Sequence, residues 1–131
     1  MIYLCNGLSE SMKRDPNMKQ IPYPLSRKEF AELTNSLEFE SVIGHQLLAD
    51  YLTDVCGTEI PYNRRAIRVN YDDYILLVSM DGRLPEHPRK VDYEGRLNYS
   101  FVRFEKQTSN DKSNTLAKIH EIGGQINGIK I

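Results

Sequence analysis

The sequence predicts a single α/β domain, and three observations carry that reading. Met1–Cys5 (Met-Ile-Tyr-Leu-Cys) is a continuously apolar run of strand length, and Tyr74–Met80 contains another. Runs of this kind mark strands buried on both faces. Between them lie two stretches whose apolar residues recur at helical spacing. The third observation is size: 131 residues, 40% of them hydrophobic, suit one domain with a modest core.

The first strand ends at Asn6, Gly7 and Ser9. From Glu10 to Pro24 the chain is polar and carries Pro16, Pro22 and Pro24, so a loop is expected, with room for an extended piece near its end. Ser26 and Glu29 make a capping box, and Phe30, Leu33 and Leu37 follow at helical spacing, which predicts a helix over 27–36. Glu38–Ile43 reads as a short strand or an extended lead-in. Leu47, Leu48, Tyr51, Leu52 and Val55 form one helical stripe, and Gly57 stands where a C-terminal cap belongs.

Arg64–Val69 and Tyr74–Met80 are predicted as two strands joined through Asn70, Asp72 and Asp73. Asp81–Glu94 holds Gly82, Pro85 and Pro88 and is expected to be a long loop. Leu97, Tyr99 and Phe101 alternate into a last strand ending near Phe104. The domain is therefore placed at 1–104, with 105–131 as a C-terminal extension and a short helix allowed at Thr115–Glu121.

With 17 basic and 18 acidic residues the net charge is −1. That argues against a binder of long nucleic acid, which depends on many phosphate contacts. A small anionic ligand needs only a local cluster of donors. Cys5 and Cys56 form no disulfide framework, and neither Cys-x-x-Cys nor His-x-x-x-His spacing occurs, so no metal or other cofactor is expected. No signal-like leader and no apolar run approaching ~18 residues is found, which leads to the expectation of a cytoplasmic protein with no membrane partner.

His45 falls at the first turn of the second helix, where free amides and the positive end of the helix dipole favour a phosphate. Its side chain is of the type whose ordinary pKa lies nearest neutrality. Gly44 before it allows close approach of backbone and ligand. Arg64 begins a predicted strand, Arg83 and Glu86 lie in the long loop, and Asn6 and Ser9 follow the first strand, at the end where open α/β sheets bind ligands. Arginine presents a planar fork to phosphate oxygens. These residues together describe an anion pocket with an acid–base histidine.

The same residues resemble a family, the viral ring nucleases that act as anti-CRISPR proteins against type III systems. The resemblance runs from about residue 2 to residue 104. It rests on Ile2-Tyr3-Leu4-Cys5-Asn6 with Ser9 and Met12, Ile43-Gly44-His45, Cys56-Gly57-Thr58, Asn63-Arg64 and Arg83-Leu84-x-Glu86. Each motif is short, and their order and spacing together make the match specific.

The resemblance implies a homodimer with a mixed β-sheet of about five strands flanked by helices. It implies a phosphodiesterase that binds cyclic tetra-adenylate across the dimer axis and cuts it without metal, with His45 as general acid. Arg64 and Arg83 would hold phosphates, Asn6, Ser9 and Glu86 would contact ribose or phosphate, and the loop from Arg83 would close as a lid. Two alternatives stay open: a module that sequesters a cyclic nucleotide without cutting it, and a small protein-binding adaptor.

Overall fold

The structure, a computed structural model, describes residues 1–107. The predicted tail helix at Thr115–Glu121 lies outside the described residues. The elements are β1 (Ile2–Cys5), β2 (Met18–Leu25), α1 (Arg27–Ser36), β3 (Glu40–Ser41), α2 (Gln46–Cys56), β4 (Tyr74–Met80) and β5 (Leu97–Lys106), with 3-10 turns at Glu10–Met12 and Lys90–Tyr93. The strands form one mixed sheet in the order β2-β5-β4-β1-β3. β1 is parallel to both β3 and β4, whereas β5 is antiparallel to β4 and β2.

Side chains alternate across the strands, so the sheet divides two cores. Leu4, Leu76, Val78 and Tyr99 pack with Phe30, Leu48 and Leu52 of the helices. On the other face Cys5, Met18, Ile75, Val102 and Phe104 pack with Val69 and the half-buried Met12 and Ile67. α1 is anchored by Phe30, which is fully buried, with its ring centroid 4.6 Å from that of Tyr99.

The predicted helix signals operate as expected. Ser26 Oγ accepts from the Glu29 amide (3.1 Å), and Glu29 Oε1 accepts from the Ser26 amide (2.9 Å). Gly57 ends α2 in the left-handed region (φ 68°), where a side chain would be strained.

The strand count matches the expectation, but one member differs. Arg64–Val69 is not a strand; among the described residues its one ladder contact is the bridge from Val69 to Lys13. β4 already pairs with β1 on one side and β5 on the other, so a hairpin partner has no edge to join. The fifth strand comes from the segment expected to be a loop, as the eight-residue β2. Pro22 and Pro24 are two apart and can both turn their missing N–H outward, which costs no ladder bond on an edge strand. β5 runs to Lys106, two residues past the expected end, because it matches Met18 at the far end of β2. Among the described residues no helix is long and apolar enough to cross a membrane.

Candidate functional site

The carboxyl ends of the parallel strands β1, β3 and β4 lie along one edge of the sheet, and the segments leaving them meet there. Asn6 follows β1 directly. Its Oδ1 accepts a 3.0 Å hydrogen bond from the Gly44 amide, tying the exit of β1 to the lead-in of α2. The 61–64 segment is fixed beside that lead-in. Asn63 donates its amide to the Ile43 carbonyl (2.9 Å) and its Nδ2 to the Ser41 carbonyl (2.9 Å), while Ser41 Oγ donates to the Pro61 carbonyl (2.6 Å). These bonds place Arg64 against Gly44, since a methyl built there would lie 3.5 Å from Arg64 Cγ and 3.8 Å from Asn6 Oδ1.

His45 is the N-cap of α2, is exposed, and makes no side-chain cap bond. Among the described residues its imidazole has no hydrogen-bond partner, and the first amides of the helix are not met by a capping side chain. Gly44 needs no explanation from backbone strain: its φ is not positive, and an added methyl meets only ordinary contact distances. The backbone conformation at 44 is therefore open to other residues; what Gly44 contributes in the structure is its amide, engaged by Asn6.

Two cavities flank Asn6. One, of about 490 Å³, is lined by His45, Gln46, Ser79, Leu84 and Pro88 among others. The other, of about 520 Å³, is lined by Cys5, Gly7, Ser11, Arg65, Ile67 and Arg68 among others, and Asn6 belongs to both. Arg65 is paired with Glu40, whereas among the described residues Arg64, Arg68 and Arg83 have no carboxylate partner. An exposed cation without a counter-charge is available to an anionic ligand at little desolvation cost.

The structure thus brings together Asn6, Gly44, His45 and Arg64. Of these, Asn6 and His45 line the cavities, whereas Gly44 and Arg64, like Ser9, Arg83 and Glu86, line neither. Ser9 Oγ shares a 3.0 Å bond with Ser11 Oγ, and it is Ser11 that faces the larger cavity. In the loop after β4, the apolar Leu84 and Pro88 face the His45 cavity while Arg83 and Glu86 are exposed. Gln46, Ser79 and Ser11 are lining residues that the sequence reading did not single out; adjacency to His45 and Ser9 was the only signal for two of them. Among the described residues no cluster of His, Cys, Asp or Glu is arranged to hold a metal ion.

The fold and its sequence have counterparts in viruses. Protein B116 of Sulfolobus turreted icosahedral virus superposes with a TM-score of 0.65 over 78% of this chain and 97% of that one, at 19% identity, a likeness of fold alone. "Uncharacterized protein 26" of Sulfolobus islandicus filamentous virus (isolate Iceland/Hveragerdi) is 28% identical over 110 residues, covering 82% of this chain and 93% of the relative. The STIV B116-like family model matches residues 2–94, a span that contains Asn6, Gly44, His45, Arg64, Arg83 and Glu86, and the chain belongs to that family.

Proposed function

We propose that the protein is a metal-independent ring nuclease, a phosphodiesterase that opens cyclic tetra-adenylate and so switches off type III CRISPR signalling in the cytoplasm. The observation that carries this reading is that His45 caps α2 beside the Asn6-held Gly44 and that Arg64, without a carboxylate partner among the described residues, packs against that glycine. An acid, an amide-rich helix end and a guanidinium are the groups a phosphodiester needs for cleavage by its own ribose.

The substrate carries its nucleophile. The ribose 2′-hydroxyl attacks the adjacent phosphorus and gives up its proton to solvent, a P–O2′ bond forms, and the P–O5′ bond breaks. His45 delivers a proton to the departing 5′-oxygen, leaving a linear product with a 2′,3′-cyclic phosphate. Arg64 and the first amides of α2 stabilise the charge that builds on the non-bridging oxygens. The protein supplies orientation, charge stabilisation and one proton. A ligand with two-fold symmetry matches a homodimer, in which each subunit contributes one His45 and one set of arginines. Arg83, Glu86 and Ser9 would join the ligand through movement of their loops or from the second subunit.

The test is incubation of purified protein with cyclic tetra-adenylate in EDTA under single turnover. Linear product is expected, and its absence would overturn the proposal. His45→Ala should slow cleavage by ~10²–10⁴-fold while nucleotide binding persists. Binding by the wild type without any product would identify a sequestering module instead.

A further inference from the structure

The loop Asp81–Arg96 between β4 and β5 is held very unevenly. Its ends are joined by the Asp81 amide donating to the Arg96 carbonyl (2.8 Å), and Arg96 also donates to the Arg83 carbonyl (2.8 Å). Beyond that, the half carrying Arg83 and Glu86 has no side-chain hydrogen bond or ion pair among the described residues, and only Leu84 packs against the core. The other half is fastened to α2. Lys90 Nζ lies 2.8 Å from Asp54 Oδ2, and Tyr93 is buried with its ring centroid 5.5 Å from that of Tyr51. The Tyr51 hydroxyl donates to Glu94 Oε2 (2.5 Å), and Glu94 Oε1 accepts from Arg27 at the start of α1 (2.5 Å).

The Glu94–Arg27 pair is half exposed and by itself holds little. The Tyr51 bond differs. Tyr51 is buried to 6% exposure, and a hydroxyl donating to an ionised carboxylate makes a strong, directional bond. Tyr51 stands on the helix that starts at His45, six residues on, or ~9 Å along the axis. One rigid element therefore fixes both the histidine and the anchored end of the loop.

We infer that Tyr51 and Glu94, steadied by Arg27, are positioning residues: they form the hinge that registers the Arg83–Glu86 loop to His45. The functional half of this inference rests on the ring-nuclease reading, and the structural half does not. Glu94 takes both partners through separate carboxylate oxygens, so rotation of the loop end about this point is restricted, while residues 84–88, between the bonded Arg83 and Arg89, make no hydrogen bond or ion pair among the described residues.

Two variants test this, Tyr51→Phe, which keeps the ring against Tyr93, and Glu94→Gln, at a half-exposed position where folding is not at risk. Amide hydrogen exchange of the full chain without nucleotide should speed up in peptides covering 81–89 and stay unchanged in α1 and β5; unchanged exchange in 81–89 overturns the hinge. In cleavage of cyclic tetra-adenylate, KM should rise roughly tenfold while the saturating single-turnover rate stays within about threefold, because the phosphate-holding loop is displaced and His45 is not. A wild-type KM, or a loss confined to the saturating rate, refutes the positioning role. If wild type yields no product the ring-nuclease reading fails, and the exchange measurement alone still decides the hinge.

Discussion

Removing the Asn6 side chain isolates the bond on which the site geometry depends. Asn6→Ala leaves the Gly44 amide without the Oδ1 that lies 3.0 Å away. A fully buried amide deprived of its acceptor costs ~1–3 kcal/mol, but both residues are half-buried and water recovers part of this, so ~1 kcal/mol is expected. In a domain of this size that loss corresponds to a fall in melting temperature of roughly 3–6 °C. Asn6→Asp separates the structural from the functional consequence. It keeps an acceptor for Gly44 and adds a negative charge before the first turn of α2, which favours the helix by ~0.3–1 kcal/mol. The same charge repels a phosphate and competes for Arg64. Calorimetric melting and nucleotide titration of both variants make the comparison. Asn6→Asp should melt at or above wild type and bind cyclic tetra-adenylate more weakly. An Asn6→Ala protein melting with wild type would show that the bond does not hold the turn, and an Asn6→Asp protein binding as tightly as wild type would show that no phosphate approaches this turn.

Gly44→Ala should be tolerated by the fold and gain ~0.4–1 kcal/mol in urea unfolding through a less free unfolded chain, because φ is not positive and the new methyl sits at ordinary contact distance; a loss of stability refutes the geometry. Asp15 accepts from the Asn17 amide (2.9 Å) and the Tyr71 hydroxyl (2.9 Å), and these bonds hold its carboxyl below the ordinary 3.8. Since the folded value lies below the unfolded one, the stabilisation is present above pH 3.8 and is lost as pH falls through the folded value. Asp15→Asn should therefore flatten the acid limb of melting temperature against pH, and an unchanged limb counts against it. Burial pushes the Cys5 thiol up to about 12 and raises Cys56 as well. Neither thiol should react with Ellman's reagent in the native protein, and both should react in denaturant. For Cys5 the favoured neutral form adds stability below the ordinary 9.0, which is lost as pH rises toward 12; rapid labelling of the native protein would contradict this.

Local chemistry was legible where it acts over a few residues. The Ser26–Glu29 box, the stripe of α2 and the Gly57 cap need only neighbours within a turn, and each is found where the sequence placed it. The swap of 18–25 for 64–69 shows where such reading stops. Alternation in Arg64–Val69 resembles a strand, yet a strand exists only with an open edge to pair with, and prolines in 18–25 matter only if that segment is central. Edge availability is a property of the whole sheet.

The site divides in the same way. The residue types at Asn6, Gly44, His45 and Arg64 and the start of a helix at His45 were determined by the sequence itself, because caps and helical periodicity are local signals. That Asn6 reaches the Gly44 amide across 38 positions, that Arg64 lies against the same glycine, and that Leu84 and Pro88 line the cavity while Arg83 and Glu86 are exposed and do not were decided by tertiary structure alone. Such contacts depend on which strands lie side by side, here β1 between β3 and β4, and on which face of a loop the core accepts.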